Sequence, residues 1–202
     1  MYMDLNRDTV LFFMYISGSK SGKLTTSLVQ YWVDNLLLPI VGQKKFILIS
    51  DSWGGQRNKN LYEKMKKLIR LEIPKKTTSM IQPLDVGWNR QYKYFVRQIY
   101  NHVRLYNLDI NLAQRNNIIK LNSLAYNQMT SPKFITMVQY AWYQSGYLKQ
   151  NPGSFQSTQQ VCFSFDEHCC CTANCKNTPF VRCSFCSDVL CFSHFYNDYH
   201  IH

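Results

Sequence analysis

Phe46-Ile47-Leu48-Ile49-Ser50-Asp51 is an apolar run closed by a carboxylate, and its reading decides the fold. Five strand-forming residues between turn-rich flanks predict a short strand at Lys45–Ser50, apolar throughout as in the middle of a covered sheet. Asp51-Ser52-Trp53-Gly54-Gly55 then turns the chain. After thirty-three intervening residues a second carboxylate, Asp85, stands in Thr77-Thr78-Ser79-Met80-Ile81-Gln82-Pro83-Leu84-Asp85-Val86-Gly87. A carboxylate at a strand tip and another after a Pro-bearing loop can converge on one divalent ion, as nucleic-acid phosphoryl-transfer sites require. Each acid also has a bland reading: Asp51 as an Asx turn and Asp85 as a helix cap.

Outward from these acids, strands and helices alternate, which predicts an α/β layer fold. Val10–Ile16 reads as a strand and Thr25 or Thr26 as the N-cap of a helix carrying Leu28, Val29, Trp32, Val33, Leu36 and Leu37, stopped by Pro39. A second helix is expected over Asn58–Arg70, burying Leu61, Met65 and Leu68. Its outer face would carry Lys59, Lys64, Lys66, Lys67 and Arg70, which with Lys75 and Lys76 could follow phosphates or simply face solvent. Leu71–Ile73 reads as a strand. A long helix is expected over Val86–Tyr106, another over residues 113–127, and a last one capped by Ser131 and ending near Gly146. Residues 150–160 read as a polar linker. Tyr140, Trp142, Tyr143 and Tyr147 could stack bases, but helical spacing favours core packing. Ser17–Lys23 lacks the spacing of a phosphate loop, and His102 stands alone.

The chain has 202 residues, a net charge of +11 and 46% apolar residues, enough for a packed core. Residues 1–150 hold 21 Lys/Arg against 8 Asp/Glu, while residues 151–202 hold 2 against 4. The core, not the tail, would therefore attract a polyanion such as DNA. No apolar run reaches the roughly 20 residues of a membrane span, and the N-terminal segment lacks the form of a signal peptide. An intracellular protein that is not secreted is expected, so the eight cysteines point to bound metal rather than disulfides. Cys183-x-x-Cys186 and Cys191-x-x-His194 have the spacing of zinc ligands, with Cys169, Cys170, Cys171 and Cys175 before them and His200 and His202 after.

The words around the two acids resemble the DDE-type transposases of the mariner/pogo superfamily, especially the pogo- and jerky-like proteins. Their second acid follows a strand in a motif like LLIDNAPSH and their third lies in one like PPNTTSLLQPLDQG. The likeness covers about residues 20–105. It implies an RNase H-like core whose acids hold Mg²⁺ or Mn²⁺, with Asp51 as the second acid and Asp85 as the third, acting on DNA in the nucleus. The first acid of that family lies well upstream of the second, so the expectation is a core incomplete at its N-terminus. Ser52-Trp53-Gly54-Gly55-Gln56 also lacks the family's His.

The stretch Val181–His200 resembles the C-terminal cysteine-rich domain of piggyBac-type transposases, a cross-brace zinc finger. By that pattern Cys171 and Cys175 share one zinc with Cys191 and His194, with Cys169 or Cys170 as substitutes in the upstream pair, while Cys183, Cys186 and His200 hold the other, with His202 as a further ligand candidate. The expected organisation is a partial DDE core over residues 1–106, a helical extension over 107–149, a linker over 150–168 and a zinc-binding domain over 169–202. Two functions follow: a transposase-derived DNA-binding protein with metal-dependent strand cleavage and transfer, or a catalytically inactive remnant whose zinc tail binds a protein. A ubiquitin-ligase-like zinc domain rests on the tail alone. The oligomeric state is open.

Overall fold

The computed structural model describes residues 23–42, 44–106 and 108–202. The strand expected at Val10–Ile16 lies outside the described residues. Contacts group the chain into two units, divided between Gln82 and Pro83 rather than near residue 106.

In the first unit, α1 (Thr26–Trp32) is capped by the Thr25 hydroxyl, which accepts from the Leu28 amide at 3.3 Å. The helix does not stop at Pro39. It widens into a π turn over Val33–Leu37 and continues as α2 (Leu38–Val41). Proline lacks an N–H and crowds the carbonyl four residues back, and the wider turn gives that ring room. Val29, Val33, Leu37 and Val41 repeat every four residues and are buried, against Phe46, Leu61, Tyr62 and Met65.

Strand β1 (Phe46–Ser50) pairs in parallel with β2 (Leu68–Glu72), from Phe46 opposite Leu68 to Ser50 opposite Glu72. The helix expected over Asn58–Arg70 does not form. A 3₁₀ turn at Lys59–Tyr62 buries Leu61 and Tyr62, and the chain then extends into β2. The helical spacing of Leu61, Met65 and Leu68 yields to the hydrogen bonds offered by β1, a tertiary demand that overrides local pattern. Among the described residues the sheet has only these two strands, and the paired Ile47 and Ile69 are exposed. The expectation of a strand covered on both faces is thus corrected. Helix α3 (Thr78–Ile81) completes the unit.

The second unit begins with a π turn over Leu84–Trp88 that runs into α4 (Asn89–Leu105). Helices α5 (Arg115–Met129) and α6 (Ile135–Gln144) follow, the latter after a 3₁₀ turn capped by Ser131. Phe95, Ile99, Leu124, Met129, Phe134 and Met137 form the centre of its core. Gly87 sits where the π turn crosses α6, and a Cβ there would stand 2.8 Å from the Ala141 Cβ. Gly87→Val is expected to cost about 1–3 kcal/mol through overpacking, read as a lower urea midpoint at unchanged slope.

The expected linker is only partly one. Ser157 and Gln160 form a capping box that starts α7 (Thr158–Cys162), and Thr158, Val161 and Cys162 are buried. The tail adds a hairpin of β3 (Pro179–Arg182) and β4 (Val189–Cys191). Phe180, Val181, Leu190, Phe192 and Phe195 of this tail belong to the same core as α4–α6, so it packs as part of the unit, not as an appendage. His102 joins it, its ring stacked on Phe192 with centroids 4.6 Å apart.

Candidate functional site

The acids and the cysteine/histidine ligands occupy three places in the fold. Asp51 follows β1 immediately. Its Oδ1 accepts from the Trp53 amide at 3.2 Å and from Gln56 Nε2 at 2.6 Å. The Asx-turn reading therefore describes one carboxylate oxygen, and no described residue bonds to the other. The Trp53 ring lies across Gly55, where any Cβ would fall 2.0 Å from it, so this turn has no space for a side chain there. Asp85 sits in the π turn ahead of α4 and is exposed. Its Oδ1 accepts from Asn89 Nδ2 at 2.7 Å, and it makes no backbone cap bond. In each acid one oxygen is held and one is open to a ligand among the described residues. Two carboxylates of this kind are donors suited to Mg²⁺ or Mn²⁺.

The expected phosphate-tracking lysines do not share a helix face, because that helix is absent. Lys59, Lys66, Lys67, Lys75 and Lys76 are exposed. Lys64 is bound to Asp34 at 2.9 Å, and Arg70 lies over the Tyr62 ring and 3.6 Å from Glu72. Of the four aromatic residues only Trp142 packs against the core; Tyr140 lies against Tyr143 and Phe155, and Tyr147 against Trp142, all of them half-buried.

In the tail, eight ligand atoms gather into two groups, each within 4.8 Å: Cys170, Cys175, Cys191 and His194, and Cys183, Cys186, His200 and His202. In chain order the pairs alternate between the groups, which is the topology of a cross-brace. A zinc tetrahedron with Zn–S of about 2.3 Å and Zn–N of about 2.0 Å has edges of about 3.8 Å (S–S) and 3.5 Å (S–N). Here Cys175 and Cys191 Sγ are 3.9 Å apart, and His194 Nδ1 is 3.2 Å from Cys170 and 3.3 Å from Cys191. In the second group Cys186 Sγ is 3.5 Å from His200 Nε2, which is 3.0 Å from His202 Nε2. Both donor sets fit a tetrahedral ion.

The geometry places Cys170, not Cys171, with the first group. The Cys170 amide donates to Asn177 O and the Cys171 amide to Val189 O, at 3.1 and 2.8 Å. The two neighbouring residues are thus held by different partners, and Cys170 is buried while Cys171 is exposed. His202, left open by spacing, completes the second group. Two left-handed residues shape the ligand turns: Asn174 (φ 62°) before Cys175 and Ser187 (φ 68°) after Cys186.

At Cys170 and His200 the charge chemistry agrees with this placement. Burial raises the Cys170 thiol, but hydrogen bonds from Thr172, His194 and backbone amides outweigh it and bring it down to about 6. Burial, then the neighbouring Asp188 and Cys183, push the Cys186 thiol up to about 12. Burial and His202 lower His200 against the pull of Asp188, which favours the neutral imidazole a metal needs. Burial also pushes the Cys162 thiol up to about 12, but this cysteine belongs to neither group.

Neighbouring groups brace the second ligand set. In the first, His194 Nε2 faces Asp198 Oδ2 at 3.9 Å, beyond hydrogen-bond distance. Gln128, fully buried on α5, points Nε2 at Cys183 Sγ (3.4 Å) and accepts from the Ser184 amide (2.7 Å). Asn127 pairs with the His202 backbone through both its amide atoms. Sequence spacing gave no sign of Gln128 or Asn127, because they lie more than fifty residues before the groups they hold.

Comparison with known families gives two matches. Residues 8–146 match the profile of the DDE superfamily endonuclease family. Residues 142–201 match the Tc5 transposase C-terminal domain. No curated protein and no solved structure matches the chain. No helix among the described residues is long and apolar enough to cross a membrane.

Proposed function

We propose, since the chain belongs to the DDE superfamily endonuclease family, that it is a transposase-derived DNA-binding protein of the nucleus, of the mariner/pogo type with an RNase H-like core. The observation that carries this is the extent of the match, which takes in both Asp51 and Asp85. In this reading the two acids contribute oxygens to Mg²⁺ or Mn²⁺, which when bound would activate the attacking oxygen and stabilise the leaving one. Gln56 and Asn89 each fix one oxygen of a carboxylate and leave the other for the ion. The tail holds two zinc ions, one on Cys170, Cys175, Cys191 and His194 and one on Cys183, Cys186, His200 and His202. These ions are structural, since four protein ligands close each site.

A second reading draws on the charge of the tail, two basic against four acidic residues over 151–202. That balance suits a protein partner, on a scaffold that no longer cuts DNA. The test that separates them is anisotropy of a labelled DNA duplex titrated with the zinc-loaded chain over a salt series. The DNA reading expects an affinity that falls steeply with salt, roughly 10³-fold or more between 50 and 200 mM if six or more phosphates are contacted. An affinity indifferent to salt, or no binding at 50 mM, would leave only the protein-partner reading.

A further inference from the structure

The outward face of α4 carries a continuous basic stripe that none of the expected nucleic-acid residues belongs to. Arg90, Lys93, Arg97 and Arg104 are all exposed. At about 100° per residue they fall within roughly 60° of arc, opposite the buried Phe95, Ile99 and Val103. Tyr100, 40% exposed, lies on the same line. The 17 residues of α4 contain no Asp or Glu. A solvated helix face ordinarily mixes both signs, and like charges three and four residues apart destabilise a helix. Some cations elsewhere are paired with acids: Arg57 with Glu72, Lys64 with Asp34, Arg182 with Glu167. None of the four stripe residues has an ion pair among the described residues. At the C-terminal end of the stripe Arg104 lines a surface hollow together with Asp109.

We propose that this face of α4 is a track for the phosphates of duplex DNA, leading toward Asp85. The inference rests on the DNA-binding reading above and gives it a surface. From Arg90 to Arg104 the helix rises about 21 Å, over which a duplex carries about twelve phosphate charges. Arginine suits the work, since its fork of donors meets phosphate oxygens in pairs, and Tyr100 adds a further hydroxyl donor. Asp85 occupies the π turn at the N-terminal end of the same helix. A backbone held along the stripe is therefore directed to the carboxylate that the reaction needs.

The experiment compares salt dependence of duplex binding in three zinc-loaded proteins: the unmutated chain, the quadruple variant Arg90→Gln, Lys93→Gln, Arg97→Gln and Arg104→Gln, and a control with Lys59→Gln, Lys66→Gln, Lys67→Gln and Lys75→Gln. Each lost phosphate contact reduces the slope of log affinity against log salt by about 0.9, so the stripe variant is expected to lose about three to four. The control is expected to lose less. If the quadruple variant misfolds, the four single variants are each expected to lose about 0.9. An unchanged slope in the stripe variants, with tight binding by the unmutated chain, overturns the track while leaving DNA binding in place. Absence of duplex binding by the unmutated chain overturns the reading beneath it. Preference for single-stranded RNA that duplex DNA does not compete away rejects the duplex as occupant.

Discussion

Cys183→Ser is expected to lower the zinc content of the purified chain from two ions to one and to reduce its melting temperature by roughly 10–20 °C. The size follows from what the ion holds. Structural zinc sites contribute about 10–16 kcal/mol in peptides that fold only with metal. Here the tail also buries apolar surface of its own, so the loss is smaller, about 5 kcal/mol. For a chain of this size each kcal/mol moves the melting temperature by about 2–4 °C. The damage should not stay local. Cys183 lies beside Gln128 of α5, and Val181 just before it is fully buried in the core shared with α4–α6. A single cooperative transition at lower temperature is expected, rather than early melting of a separate finger. Cys171→Ser should leave zinc content at two ions, because that thiol is exposed and outside both ligand groups. Loss of an ion in Cys171→Ser but not in Cys170→Ser would show that the first group is wrongly drawn.

The contrast between Cys170 and Cys171 shows what the sequence could and could not reveal. Spacing alone marked Cys183-x-x-Cys186 and Cys191-x-x-His194, since two ligands three apart can turn around one ion. Three consecutive cysteines offer no such guide, and the choice is made by the pairing of their backbone amides with Asn177 and Val189. The helices with strong periodicity were legible. The long one after Asp85 forms over Asn89–Leu105, and those at Arg115–Met129 and Ile135–Gln144 follow expectation. The segment at Asn58–Arg70 was not, because parallel strand pairing is decided by a distant partner that no local window contains. Pro39 misled for a related reason: a π turn let the helix continue past it. The segment before the tail read as linker because its polar composition hid a capping box and three buried residues. Among the site residues, the two acids are marked by their surrounding words, whereas the α4 stripe emerges only once the buried face of that helix is fixed by Phe95, Ile99 and Val103.

Asp51→Asn and Asp85→Asn are each expected to abolish stabilisation by Mn²⁺. Asparagine keeps the shape of the side chain and its hydrogen bonds to Gln56 or Asn89, but removes the charge that a dication requires. At a metal concentration 100 times its dissociation constant, binding contributes about 2.7 kcal/mol, hence a rise of about 5–10 °C in melting temperature for the unmutated protein. Where strand cleavage is followed instead, each substitution is expected to lower it by about 10⁴-fold, because such residues act as a unit and loss of one member removes most of the rate. Zinc content should remain at two ions in both variants, which separates this site from the tail.

The most direct test is the Mn²⁺-induced rise in melting temperature of Asp51→Asn, of Asp85→Asn and of the double variant, each beside the unmutated protein. The expected result is that both single substitutions lose the rise, as required if each carboxylate supplies oxygens to Mg²⁺ or Mn²⁺. A Mn²⁺ response that survives either substitution intact would contradict the metal-binding reading of that acid.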